Sequence, residues 1–337
     1  MTGLDSMYIF DTRWKGAHGI GRFATELHRR LEYFSEIGIG GRPSSPLDPL
    51  LLTRYLHSTT PRLFFSPGYN APLGNPCPFV FCIHDLNHLF VKDNSSVLKR
   101  AYYASVMRPA AHKARWILTV SEFSRRSICE WAQIAETKVI DVGNGVSEAF
   151  RASGTHFTGI GRPYFLHVGC HKPHKNFERV LQAFAASGLR RDFMLVSTGE
   201  PGTHLRRKIA TLGLEECVSF VGVMPEEQLA ELYRGATALI FVSLYEGFGL
   251  PIVEAMACGT PVLTASVTSM PEVAGDAAIL VSPYDVEAIR DALVNLARDD
   301  QLRESLRARG LDRVKRYTWS STAEKTRSVL ASCAAES

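Results

Sequence analysis

The stretch YEGFGLPIVEAMACGTPV, Tyr245–Val262, decides the fold of this chain. It follows an apolar run, ALIFVS (238–243), that reads as a strand. Pro251 suits the first turn of a helix, where its missing N–H costs nothing, and Gly259 suits the end of that helix. The residues PVL at 261 then begin another strand. The bend Gly247–Leu250 therefore lies at the carboxyl end of a strand and the amino end of a helix, where backbone N–H groups favour an anion. Glu246 precedes the helix and Glu254 falls in its first turn. Two carboxylates flanking an anion-binding turn are awkward for a bare phosphate. They suit a ligand with phosphates in the middle and hydroxyl-rich sugars at both ends, because an ionised carboxylate accepts hydrogen bonds from neighbouring hydroxyls. A nucleotide sugar has that layout. Either glutamate alone reads equally well as a solvated charge at a helix start.

Outward from this stretch the second half alternates. Strands are expected at 164–169, 193–197, 217–221, 237–242 and 261–264, and helices at 176–187, 203–212, 226–234 and 251–258. Apolar strands joined by helices predict a parallel sheet covered on both faces. The first half has shorter runs of the same kind at 7–11, 62–66, 78–83, 116–120 and 139–142. Helical patterns occupy 22–33, 97–113 and the residues after Ser121, a suitable N-cap. Residues 38–49, GIGGRPSSPLDP, read as loop, and the polar, glycine-rich segment 152–163 reads as a linker. The expected class is α/β, with Rossmann-like domains at 1–151 and 164–317 and ligands beyond the carboxyl ends of the strands.

At 337 residues the chain has room for two such domains. Its net charge of +4 is compatible with an anionic substrate or an acidic membrane surface and too small to indicate nucleic acid. The seven cysteines are scattered and odd in number, with no Cys-x-x-Cys pair, so neither a zinc site nor a disulfide framework is expected. The amino terminus lacks the basic and apolar regions of a signal peptide, and no apolar run approaches the ~20 residues of a membrane span. A cytoplasmic location is expected, with any membrane met at its inner face. Gly19, Gly21 and Ala24 spell G-x-G-x-x-A, but the glycines stand some residues beyond the strand end and no ribose-binding acid closes a second strand. That disfavours a nicotinamide-dependent oxidoreductase.

EGFGLPIVEAMACGTPV resembles the E-x7-E signature of retaining GT-B glycosyltransferases, family four in particular. TSMPEVAGDAAILVSPYDVEAI, FLHVGCHKPHKNFERVLQAF (165–184) and TVSEFSRRSI (119–128) resemble further segments of that family. The resemblance implies two Rossmann-like domains facing a central cleft. It also implies that the last helix, YTWSSTAEKTRSVLAS (317–332), crosses back, so that 318–337 join the first domain; closure around the donor would move this crossover. By the same resemblance Lys175, in HKPHKN, contacts the donor diphosphate, a role that suits a flexible ammonium. Many relatives place an arginine a few residues earlier. Here the loop offers His171, Lys172 and His174, and Lys172 is the candidate. Glu254 resembles the glutamate that holds the ribose hydroxyls, and Glu246 the one beside the donor sugar. Phe248, Gly249 and Leu250 would offer backbone N–H groups, and the base would lie near Val223 and Met224. In GAHGIGRF, Gly19 and Gly21 would let the chain approach the diphosphate closely. His84, in FCIHDL, resembles a donor-sugar contact, although a strand-end histidine before an aspartate also fits a structural role. Asp85 would orient its ring or contact the acceptor. The expected catalytic residues are thus Glu246, Lys175 and His84.

Neither glutamate is placed as a nucleophile, so a two-carboxylate glycosidase scheme does not apply. The resemblance implies front-face transfer with retention, in which the leaving diphosphate assists the acceptor hydroxyl. It implies no cofactor beyond the nucleotide-sugar substrate and no metal. The residues around HGIGRF and HKPHKN are similar to bacterial enzymes that build O-antigen or exopolysaccharide with mannose or rhamnose from GDP-linked donors. The acceptor would then be a lipid-linked glycan. UDP- and dTDP-sugar transferases of the same fold, and a non-catalytic nucleotide-sugar-binding subunit, stay open. A sucrose-phosphate or glycogen-type synthase is disfavoured by the short chain and by the family-four motifs. Residues 97–116 fit either a peripheral membrane contact or a solvated helix with a buried apolar stripe.

Overall fold

The computed structural model describes residues 8–16, 18–31, 34–91 and 94–335. The chain forms two compact units, residues 1–145 with 318–337 and residues 146–317. Each is built on a six-stranded parallel sheet with helices.

The first sheet runs β2-β1-β3-β4-β5-β6, formed by β1 (Tyr8–Phe10), β2 (Ser35–Glu36), β3 (Leu63–Ser66), β4 (Phe79–Cys82), β5 (Trp116–Thr119) and β6 (Val139–Asp141). β3 and β4 are buried at every residue, Phe64 pairing with Phe79 and Ser66 with Phe81, as strands covered on both faces must be. The final helix, Trp319–Ala335, belongs to this unit: it packs on the helix Gly19–Arg30, and Arg327 donates to the Arg30 carbonyl at 2.8 Å. An ion-pair network holds the loop after β1. Arg13 meets Asp48 at 2.6 Å and Asp11 at 2.7 Å, and the Asn70 amide donates to both aspartates. Burial opposes the Arg13 charge, but its hydrogen bonds to the two carboxylates outweigh that and raise its pKa.

Three expectations change in this unit. The residues after the Gly-Pro-rich segment form a helix, Asp48–Thr59, with Pro49 in its first turn. The helix expected from Arg22 starts at Gly19, because the His18 ring caps it by accepting from the Gly21 N–H at 3.0 Å. The helix expected over 97–113 is continuous but passes through a π turn at Tyr103–Met107, beside Pro109, which has no N–H to give.

The second sheet runs β12-β11-β10-β7-β8-β9, formed by β7 (Tyr164–His167), β8 (Met194–Ser197), β9 (Val218–Phe220), β10 (Ala238–Phe241), β11 (Val262–Ala265) and β12 (Ile279–Val281). The segment 152–163, expected to link the halves, is held within this unit. Phe157 N–H donates to the Glu231 carbonyl at 3.1 Å and Arg234 to the Thr155 carbonyl at 2.7 Å. The unit instead begins at Val146, whose N–H bonds the Tyr317 carbonyl where the chain leaves it. All seven cysteines are free, and among the described residues no helix is long and apolar enough to cross a membrane.

Candidate active site

The strand order of the second sheet reverses between β7 and β10, so the loops after these strands leave side by side, at the kind of crevice where open α/β sheets bind ligands. Asn176 locks the two loops together. Its backbone is left-handed (φ 62°), and its side-chain amide donates to the carbonyls of Val242 at 2.9 Å and Pro283 at 2.7 Å. The Leu244 N–H adds a bond to the His174 carbonyl at 2.7 Å. Within this frame Lys175 Nζ reaches Glu246 Oε1 at 2.7 Å, the two side chains being only 17% and 13% exposed.

The Glu246 bend is braced from the loop after β11. Ser269 Oγ donates to the carbonyls of Glu246 and Phe248, at 2.9 and 3.2 Å, and Thr268 Oγ1 accepts from the Glu246 N–H. Gly249 sits at φ 95°, and a Cβ there would lie 3.1 Å from Ile252 Cδ1. The left-handed angle favours glycine, and a Cβ would also crowd the Ile252 side chain. The helix that follows, Leu250–Ala257, has no side-chain cap and no acid in its first turn, so its amino end keeps its partial positive charge.

Glu254 stands in the second turn of this helix rather than the first, because the helix begins at Leu250. It is buried and accepts from the Tyr233 hydroxyl at 2.9 Å. The two glutamates thus have different partners: Glu246 faces a cation and Glu254 a phenol. That phenol takes one of roughly four acceptor positions on the carboxylate.

His167 and His171 share the Ser197 hydroxyl, at 3.1 and 2.9 Å, at the end of β8. Burial lowers both pKa values, that of His167 to about 3, so neither brings charge at neutral pH. Lys172 is exposed and lines a cavity of about 500 Å3 with His171, Asn176, Arg179, His204 and Leu244. Val223 is exposed and Met224 half-buried just after β9, whose loop is tied to the β8 loop by the Gly199 N–H on the Gly222 carbonyl.

In the first unit, His84 Nε2 lies 2.8 Å from the Pro67 carbonyl. A carbonyl only accepts, so Nε2 carries the hydrogen and Nδ1 the lone pair. Phe23 meets the ring edge-on at 4.8 Å, and burial lowers the histidine to about 4. Asp85 Oδ1 accepts from the Asn87 N–H at the start of a short helix. Gly21 is buried where a Cβ would fall 2.5 Å from the Gly16 carbonyl oxygen, so the chain's own backbone demands this glycine; Gly19 is exposed at the first helical position. Tyr233, Asn176, Thr268 and Ser269 were not singled out from the sequence. Tyr233 alone carried a signal, since a tyrosine on a core-facing stripe needs a partner for its hydroxyl. Among the described residues no group of three or more His, Cys, Asp or Glu side chains is placed to hold a metal ion.

Residues 155–313 match the family model described as glycosyl transferases group 1, and residues 37–150 match that described as glycosyltransferase family 4. The O-antigen chain mannosyltransferase B of Escherichia coli is 30% identical over 260 residues, which cover 73% of this chain and 68% of the relative. The chain belongs to the group 1 glycosyltransferases. A second Escherichia coli relative of this glycosyltransferase, the serotype-specific mannosyltransferase WbdA, is 26% identical over 76% of this chain and 33% of its own length. The sucrose-phosphate synthase of Thermosynechococcus elongatus has the same fold: TM-score 0.77 at 17% identity, covering 98% of this chain and 99% of that one. The GT-B architecture expected from the signature is therefore present, and the glycosyltransferase is an enzyme of the expected class. The size argument against a sucrose-phosphate-type enzyme does not hold, since such an enzyme is matched over nearly its whole length.

Proposed function

We propose that this glycosyltransferase moves a hexose, mannose before rhamnose, from a GDP-linked donor to a lipid-linked glycan, with retention at the anomeric carbon, in the synthesis of a bacterial surface polysaccharide. The observation that carries the reading is the Lys175–Glu246 pair, 2.7 Å apart beside the uncapped end of the helix Leu250–Ala257. A diphosphate laid on that helix end would draw the Lys175 ammonium onto its oxygens and leave Glu246 to accept from a sugar hydroxyl. Glu254, oriented by Tyr233, would take the ribose. The mannose choice is supported by the names of the relatives, both mannosyltransferases.

In the step itself the bond from C1 to the phosphate oxygen breaks as the acceptor oxygen bonds C1 on the same face. The acceptor proton passes to the departing phosphate. Lys175 and the helix N–H groups stabilise the charge that grows on that phosphate, so catalysis is positioning and electrostatics. We assign no divalent metal to this step. His84, neutral with its lone pair on Nδ1, would accept from a donor-sugar hydroxyl.

Thermal shift against UDP, GDP, dTDP, ADP and their sugar conjugates tests the reading. Stabilisation by GDP and GDP-mannose, lost in Glu254→Ala, is expected. Stabilisation by UDP or dTDP conjugates would overturn the donor choice, and no response to any nucleotide would overturn the catalytic reading.

A further inference from the structure

A cavity of about 500 Å3 lies at the pole of the second sheet opposite the candidate active site. Pro163, Phe193, Thr237 and Pro261 line it, each standing one residue before a strand, β7, β8, β10 and β11 in turn. The Glu246 bend leaves the other end of β10, so an occupant of this cavity is not the nucleotide sugar. The backbone of these four residues has no donor to give. The prolines lack an N–H, the Phe193 N–H bonds the Leu189 carbonyl at 2.9 Å, and the Thr237 N–H bonds that of Tyr164 at 2.8 Å. Recognition falls to side chains.

Three arginines reach the cavity. Arg303 is committed: its Nη1 donates to the Leu296 and Ala297 carbonyls at 2.7 and 3.3 Å, closing the helix Val286–Arg298, and its Nη2 pairs with Asp300. Arg234 spends two N–H donors on the carbonyls of Thr155 and Arg151, at 2.7 and 3.2 Å, which hold its guanidinium still and leave donors over. Arg307 is seated by shape. Gly259 makes room for it, the guanidinium Cζ lying 3.2 Å from where a Cβ would stand. Among the described residues the Arg307 side chain has no hydrogen-bond or ion-pair partner, and neither has Glu304, one turn before it. Two guanidiniums with donors to spare fit the oxygens of a phosphate, whereas a carboxylate repels phosphate and accepts from hydroxyls. The rest of the wall is apolar: Phe193, backed by the Phe165 ring stacked at 5.2 Å, with Pro163, Pro261 and Ala297. Such a wall suits the carbon face of a small ring and does nothing for a bare anion.

We propose that this cavity binds a phosphorylated sugar, its phosphate on Arg234 and Arg307, its hydroxyls on Glu304 and its ring against Phe193. The inference does not depend on which donor the enzyme uses. Isothermal titration of the full chain tests it, with glucose 6-phosphate, mannose 6-phosphate and mannose 1-phosphate as probes and with inorganic phosphate and mannose as controls. At least one sugar phosphate should bind saturably, at least about tenfold tighter than either control. Arg307→Gln should weaken that binding at least about tenfold, and Lys175→Ala, at the other pole, should leave it unchanged. Arg307 is exposed, so its variant should fold, and an unchanged melting temperature would verify that. The same ligand should protect Arg307 of the wild type from phenylglyoxal, read by mass spectrometry, which tests the contact without a substitution. No saturable binding, binding no tighter than that of inorganic phosphate, or an unprotected Arg307 would overturn the proposal. So would binding lost in Lys175→Ala and kept in Arg307→Gln, which would assign the ligand to the donor site.

Discussion

The Lys175–Glu246 contact joins two residues 71 positions apart, and both were legible because each belongs to a short motif with a chemical reason behind it. Tyr233 was legible only as a tyrosine whose hydroxyl needs a partner, since nothing in the sequence says that Glu254 supplies it. Tyr233→Phe removes a donor from a buried carboxylate. It should cost about 1–3 kcal/mol of stability and raise KM for the donor more than it lowers kcat, which steady-state kinetics and urea melts would show together. The buried histidines give a pH dependence. Burial holds His84 at about 4 and His167 at about 3, below the ~6.5 of an unfolded chain. The unfolded state therefore binds more protons on acidification. Stability is full above pH ~6.5 and is lost as pH falls toward the folded values, at ~1.4 kcal/mol per pH unit for each histidine. Urea midpoints between pH 7 and 5, above the range of ordinary carboxylates, should fall; a flat profile would contradict this.

Elements were read well where strands and helices are separated by clear turn chemistry, as from β7 to β11. The helix Asp48–Thr59 was missed because its leucines lie on two faces and blur the helical period, and because GIGGRPSSP before it reads as loop. The glycines of GAHGIGRF were legible as a close approach, but His18 draws them into a helix and Gly16 supplies the neighbour at Gly21. The Asp11–Arg13–Asp48–Asn70 network was invisible in sequence because its members are up to 59 residues apart. It ties the loop after β1 to the head of the helix Asp48–Thr59. Arg13→Ala would leave two buried carboxylates facing each other, and a loss of about 3–5 kcal/mol is expected in chemical denaturation. A loss below about 1 kcal/mol would mean that the aspartates simply protonate.

At the scale of the whole chain, two parallel sheets and a last helix returned to the first unit follow the pattern implied by the E-x7-E segment, while the division between units, at 145/146, stands a few residues before the segment that looked like a linker. Glycine-rich composition marked 152–163 as free, yet its hydrogen bonds to the helix Glu226–Gly235 could not be inferred from composition. In the proposed reaction Lys175 and the helix end beside it take up the charge of a departing nucleotide while the sugar keeps its configuration. Proton NMR of GDP-mannose turnover in EDTA-containing buffer, for wild type and Lys175→Ala, is the decisive measurement. The expected result is an α-mannosyl product from the wild type and a kcat about 10²–10³-fold lower in the variant. A β-linked product, or a variant that turns over as fast as the wild type, would contradict it.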